Sequence, residues 1–217
     1  MKYDLIVFDW DGTLYDSAAH IVHGVQASAK KMGLPVPSDK QARSVIGLSF
    51  EVALARLFPD IDDKKINEFA TYYRKWQAGE FGHARPMLFE GSVNVLESLK
   101  ANQYLTAVAT GKGRQGLDRD LEDFKVKHLF NTTRCGDEGQ SKPHPEMLHI
   151  IMDKLEVDPS KTLMVGDTEF DMALANNAGA DAVAVSYGVH EQADLLKHKP
   201  KHIIHSINEL LSVLGHR

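Results

Sequence analysis

Leu5-Ile6-Val7-Phe8-Asp9-Trp10-Asp11-Gly12-Thr13-Leu14 decides how the rest of the chain is read. Four apolar residues end abruptly on two carboxylates spaced i, i+2, and a glycine follows at once. A continuous apolar run of this kind predicts a strand buried on both faces, as in a parallel sheet. Open α/β sheets place their ligands at the carboxyl ends of such strands. Acids at period two project to one side of an extended backbone, where like charges repel unless a cation or a shared proton separates them. A divalent metal held by oxygen ligands answers that repulsion. In isolation, a polar turn that merely closes a strand fits the same residues.

Outward from this stretch, the runs Tyr104–Ala109, Thr162–Val165, Asp181–Val185 and His202–His205 predict further strands. Apolar stripes at helical spacing lie between them: Val93, Leu96 and Leu99, then Met147, Leu148, Ile150, Ile151 and Leu155. Ser206, three residues before Glu209, predicts a capping box that opens the last helix. Alternating strand and helix over this range predicts an α/β fold, a parallel sheet covered by helices. The segment 16–87 differs, because it reads as helices only. Its stripes are Ile21, Val22, Val25, Ala29 and Met32; Phe50, Val52–Leu54 and Leu57; and Ile66, Phe69, Ala70 and Tyr73. Breaks fall at Gly33-Leu34-Pro35-Val36-Pro37, at Pro59-Asp60 and over Gly79–Pro86. The expected organisation is an α/β domain of residues 1–15 and 88–217, with an all-helical domain of residues 16–87 inserted after the first strand. Linkers at Asp16-Ser17 and Phe89-Glu90-Gly91 are candidate hinges.

Composition narrows the function classes. The chain has 217 residues, 43% hydrophobic, enough to bury a substantial core in one or two domains. A formal net charge of −5 speaks against a nucleic-acid-binding surface. A single cysteine, Cys135, excludes an intramolecular disulfide and fits a reducing compartment. No signal-peptide pattern and no apolar run of membrane-spanning length is visible. The expectation is a soluble, cytoplasmic protein with neither nucleic-acid nor membrane partners; oligomeric state is left open. The 11 histidines show no His-x-x-x-His spacing in a predicted helix, so solvated or internally satisfied rings are expected.

Three more stretches carry polar chemistry. Val108-Ala109-Thr110-Gly111-Lys112-Gly113 ends a strand on a hydroxyl and two glycines, either a plain turn or a phosphate-binding loop. In Ser141-Lys142-Pro143-His144-Pro145 a lysine precedes a helix with proline in its first turn; taken alone, the lysine reads as a solvated surface residue. Leu163-Met164-Val165-Gly166-Asp167-Thr168-Glu169-Phe170-Asp171 ends a strand on a glycine and places acids at i and i+4, where Asp167 either caps the helix or joins a site with Asp171. In a parallel sheet these strand ends meet on one edge, so the four stretches are expected to form one site.

In this order, Asp9-Trp10-Asp11-Gly12-Thr13, Thr110, Lys142 and Gly166-Asp167…Asp171 resemble the motifs of the haloacid dehalogenase (HAD) superfamily, over essentially the whole chain. The resemblance implies a Rossmann-like parallel sheet core with the helical insert as a C1 cap. It implies Asp9 as nucleophile and Asp11 as general acid and base, with Thr110, Gly111 and Lys142 binding phosphate. It implies Mg²⁺ held by Asp9, Asp167 and the main-chain carbonyl of Asp11, with Asp171 supporting the metal or the lysine. The implied activity is hydrolysis of a small phosphorylated metabolite through an aspartyl-phosphate. Dehalogenases of the superfamily lack the second acid of the first motif, ion-pumping ATPases carry threonine there, and the phosphonate-cleaving branch carries a small residue. Asp11 therefore sides with the phosphatases. Arg43–Phe50 is similar to the loop of the phosphoglycolate phosphatase branch, whereas sugar-phosphate mutases put basic residues where Ile46 and Phe50 stand. Thr110-Gly111-Lys112 departs from that branch's Thr-Asn-Lys at Gly111. A β-phosphoglucomutase-like phosphotransferase, an inorganic pyrophosphatase and a non-enzymatic binding module are the alternatives. Tyr15, His20, Arg43 and Arg74 are candidates, from sequence position alone, for facing the substrate from the cap side.

Overall fold

In the computed structural model, which describes residues 2–216, the opening stretch forms strand β1 (Leu5–Phe8), buried at all four positions. The strands β2 (Leu105–Ala109), β3 (Thr132–Arg134), β4 (Thr162–Gly166), β5 (Asp181–Val185) and β6 (His202–Ile204) complete one sheet. Its order is β3-β2-β1-β4-β5-β6 and every pairing is parallel. β1 therefore lies between β2 and β4, in register Phe8 with Val108 and Val165, and the three strands finish side by side. The expected α/β parallel-sheet core is present.

Side-chain alternation divides the core between the sheet's two faces. Ile6, Phe8, Val108, Val165, Val183 and Val185 face one way, onto helices α5 (Ser92–Ala101), α6 (Arg114–Asp123) and α10 (Glu209–Val213). Leu5, Val7, Ala107, Ala109, Ala182 and Ala184 face the other way, onto α7 (Glu146–Leu155) and α8 (Glu169–Ala178). Four alanines among those six let the second helix layer sit close to the strands. A short α9 (Gln192–Leu196) leads into the edge strand β6.

Between β1 and α5 the regular elements are all helices: α1 (Ala18–Lys31), α2 (Asp39–Arg43), α3 (Phe50–Leu57) and α4 (Asp63–Gln77). Val22, Val25, Ala29, Leu54, Phe58 and Phe69 form their shared core. The chain leaves and returns through two segments bonded to each other: the Asp16 amide donates to the Met87 carbonyl at 3.0 Å, and the Phe89 amide to the Leu14 carbonyl at 2.9 Å. No helix among the described residues is long and apolar enough to cross a membrane.

Several local expectations are corrected. α10 begins at Glu209 with Asn208 as N-cap, so Ser206 and Glu209 do not open it as a capping box; the Glu209 carboxylate accepts from the His205 amide instead. Pro145 is the N-cap of α7 rather than part of its first turn. β3 was not expected. Its sequence, Thr132-Thr133-Arg134, is polar because it is an edge strand with two half-buried positions, and it offers no apolar run to read. α2 is a single capped turn, too short to show a stripe.

Candidate active site

Asp9, Thr110 and Asp167 each stand just beyond a strand end, whereas Lys142 comes from the loop before α7 and Asp171 from the first turn of α8. The Asp9 amide still bonds the Val165 carbonyl of β4 at 2.9 Å, which holds the first acid at the sheet edge. Thr110 follows β2, and its amide bonds the Arg134 carbonyl at 3.1 Å. Its hydroxyl oxygen accepts the Lys112 amide at 3.1 Å, which directs the hydroxyl proton elsewhere. Asp167 follows β4 directly, and α8 starts two residues later.

Lys142 is not a solvated lysine. It is buried, and its Nζ donates to Asp9 Oδ1 at 2.7 Å and to Asp171 Oδ1 at 2.6 Å. Burial works against its charge, yet Asp171 and Asp9 together hold its pKa above the ordinary lysine value. Asp9 Oδ2 has no hydrogen-bond partner although it is buried. Asp171 is spoken for on both oxygens, because Oδ2 accepts the Thr168 hydroxyl at 2.7 Å and the Thr168 amide at 3.0 Å. Thr168, not Asp167, is thus the N-cap of α8, and Asp171 closes a capping box.

Asp167 is left to face the site. Thr13 Oγ1 donates to its Oδ1 at 2.7 Å, and the Val189 amide to its Oδ2 at 2.8 Å. Gly12 sits at φ +90° directly beside this carboxylate, and a Cβ there would collide with it. Oxygens of Asp9, Asp167 and Asp171 lie within 4.8 Å of one another. Three buried carboxylates against the single ammonium of Lys142 leave two negative charges uncompensated, which is the charge of one divalent cation. Burial pushes the Asp9 carboxyl up to about 7, with Lys142 opposing and Asp171 and Asp11 adding to the rise. Burial, together with the charges of Asp9 and Asp171, raises Asp167 well above the usual carboxylate range. The oxygen-only donor set, the charge deficit and the orphaned Asp9 oxygen all fit a hard divalent cation such as Mg²⁺.

Asp11 is not in that carboxylate cluster. Its Oδ1 accepts from Lys112 Nζ at 2.8 Å and from the Ser17 hydroxyl at 2.7 Å. Each acid of the opening stretch therefore carries its own lysine, Lys142 on Asp9 and Lys112 on Asp11. Lys112 also lies 3.3 Å from Asp120, which accepts from the Trp10 indole at 3.2 Å and from Arg85 at 2.6 Å. Lys112, Ser17, Thr13 and Thr168 were missed as site residues. Lys112 was legible in the Thr-Gly-Lys triplet; Ser17 and Thr168 carry no spacing that would single them out.

The helical insert closes over this edge. Its Gly47-Leu48 backbone lies on Gly111, where a Cβ would collide with both carbonyl oxygens. The Ser49 amide donates to Ser141 Oγ at 2.8 Å. Val45 and Leu48 pack on Phe170 of α8, and Val189 enters the core of the insert. A cavity of about 510 Å³ lies between, lined by Asp9, Asp11, Thr110, Gly111 and Lys112 below and by side chains of the insert above. Of the four candidates on the cap side, only Arg74 borders it. Tyr15 is buried in the sheet's core, and the half-buried His20, pushed down to about 4 by burial, lies tilted against Trp76 and His83.

Comparisons with known proteins give the family and the fold. A family model described as haloacid dehalogenase-like hydrolase matches residues 6–185. "Probable phosphatase IndB" of Dickeya dadantii is 30% identical over 210 residues, 95% of this chain and 91% of that protein. Pyrophosphatase PpaX of Bacillus mycoides is 29% identical over 216 residues, 99% of this chain and 98% of that protein. A crystal structure of a predicted phosphoglycolate phosphatase from Haemophilus somnus superposes with a TM-score of 0.88 at 26% identity, covering 99% of both chains.

Proposed function

The chain belongs to the haloacid dehalogenase-like hydrolase family, and on that premise we propose that this phosphatase is Mg²⁺-dependent and hydrolyses a small phosphorylated metabolite through an aspartyl-phosphate on Asp9. One observation carries the reading: Lys142 holds Asp9 by Oδ1 alone, which leaves the buried Oδ2 unpartnered and oriented.

In this mechanism the Asp9 carboxylate attacks phosphorus in line, the ester P–O bond breaks, and Asp11 gives a proton to the departing alcohol oxygen. Asp11 then takes a proton from water, whose oxygen attacks the phosphorus of the aspartyl-phosphate, releasing inorganic phosphate and restoring Asp9. Lys142, the Thr110 hydroxyl and the chain at Gly111 bind the phosphoryl oxygens. Asp9, Asp167 and the Asp11 carbonyl, with Asp171 beside them, would hold Mg²⁺, which when bound offsets charge on those oxygens. Ser17 and Lys112 fix the Asp11 carboxylate at the mouth of the cavity. Residues 16–87 serve as the cap and residues 1–15 with 88–217 as the catalytic domain, the cap excluding bulk water once it has closed.

Asp9→Asn tests the assignment. The variant is expected to lose turnover of every phosphate ester while keeping the wild-type circular dichroism spectrum. The wild type, quenched in acid during turnover, is expected to carry one phosphoryl group on the peptide containing Asp9. Normal hydrolysis by Asp9→Asn would refute the nucleophile.

A further inference from the structure

The cavity above the proposed phosphate site is large, and one wall of it on the insert is apolar. Its volume of about 510 Å³ falls among pockets that hold drug-sized ligands, roughly 300–1,000 Å³. A two-carbon leaving group would fill little of it. The wall opposite Asp9 and Asp11 is built from Ile46, Leu48, Phe50, Phe69 and Tyr73. The Phe50 ring stacks on Tyr73 at 5.7 Å between centroids and lies 6.2 Å from Phe69, so one side of the space is an aromatic surface.

The cations that border the cavity, Lys112, Arg119, Arg74 and Lys75, are matched by acids in the same lining, among them Glu51, Glu80 and Asp137, so it presents no net positive charge to a second anionic group. Lys112 is held by Asp11 and Asp120. Arg119 leans on Asp120 at 3.8 Å, and its Nη2 reaches the Gln77 carbonyl. Arg74 and Lys75 are exposed to solvent on α4. A carboxylate or a second phosphate placed against the apolar wall would lose its hydration with no partner in return, whereas an apolar body there gains by leaving water.

We infer that the alcohol released at this site belongs to a phosphomonoester with a bulky apolar body, aromatic or long-chain alkyl, rather than to a short carboxylate-bearing alcohol or to a second phosphate. The inference rests on the phosphatase reading above and names the substrate class of that site. The insert supplies the recognition surface: the phosphoryl group lies on the strand ends, and the body of the substrate lies under Ile46, Leu48 and the aromatic wall.

The test is kcat/KM with Mg²⁺ for ethyl, butyl, hexyl and 2-phenylethyl phosphate, whose leaving alcohols are similarly basic, beside 2-phosphoglycolate and pyrophosphate. kcat/KM is expected to rise about threefold or more per methylene from the ethyl to the hexyl ester. 2-Phenylethyl phosphate is expected to exceed both anionic substrates. Phe50→Ala is expected to lower the hexyl-to-ethyl ratio about tenfold, because the aromatic wall is removed. This ratio is independent of the fraction of correctly folded enzyme. A flat or falling alkyl series, a preference for 2-phosphoglycolate or pyrophosphate, or an unchanged ratio in Phe50→Ala overturns the inference and leaves the phosphatase reading standing. No turnover of any of these substrates, pyrophosphate included, overturns both.

Discussion

The departure of Gly111 from the Thr-Asn-Lys pattern has a physical reason in the contact it makes. The Gly47 and Leu48 carbonyl oxygens rest where its side chain would be, so any larger residue must hold the insert off the strand ends. Gly111→Ala is expected to lower kcat/KM by about a hundredfold, the scale of loss when reacting groups are displaced by about an ångström. The melting temperature should change little, since the added methyl meets the seam between insert and sheet rather than either core. Equal kcat/KM in wild type and variant would show that this closure does not matter for turnover. The same scale explains why Asp9 and Asp11, two residues apart, take different roles. Asp9 faces Lys142 and two other acids, whereas Asp11 faces Lys112 and a hydroxyl.

Among the elements, α8 does most to organise the proposed metal side of the site. Its first turn places Asp171 so that one oxygen caps the helix through Thr168 and the other holds Lys142. Helix stability and the orientation of the lysine thus depend on one carboxylate. Thr168→Ala removes the buried cap hydroxyl, and a loss of about 1–2 kcal/mol in denaturant unfolding is expected. Because Asp171 then keeps only the Thr168 amide on that oxygen, it is held less firmly against Lys142 and kcat should fall as well. Thr168→Ser keeps the hydroxyl and should restore both quantities; failure of serine to restore kcat would separate the cap from the chemistry. The insert's helices were legible as stripes because their apolar residues recur at helical spacing over two turns or more. α2 and β3, at five and three residues, were not, because a pattern that short has no period to detect.

At the scale of the whole molecule, the buried acids couple folding to protons and metal. Asp9 rises from an ordinary 3.8 to about 7 in the fold, and Asp167 also rises, so the native state binds protons that the unfolded chain has released. Asp9 therefore lowers stability as pH climbs from about 4 to about 7, above which its cost is constant, and the raised Asp167 acts in the same direction. A divalent cation opposes that cost and competes with the protons. Differential scanning fluorimetry, with chelator or with Mg²⁺, should show a larger Mg²⁺-induced rise in melting temperature near pH 8 than near pH 5.5; equal rises would exclude the linkage. Sequence alone determined that β1, β2 and β4 end on Asp9, Thr110 and Asp167, because apolar runs and the polar residues that stop them are local features. The motif resemblance supplied Lys142 as a phosphate ligand. Only the tertiary structure decided that Lys142 is buried between Asp9 and Asp171, that Lys112 pairs with Asp11 across 101 positions, and that Gly111 receives the backbone of the insert. The partner a charge finds, and the space a glycine leaves, depend on which distant segments packing brings together, and no local period encodes that.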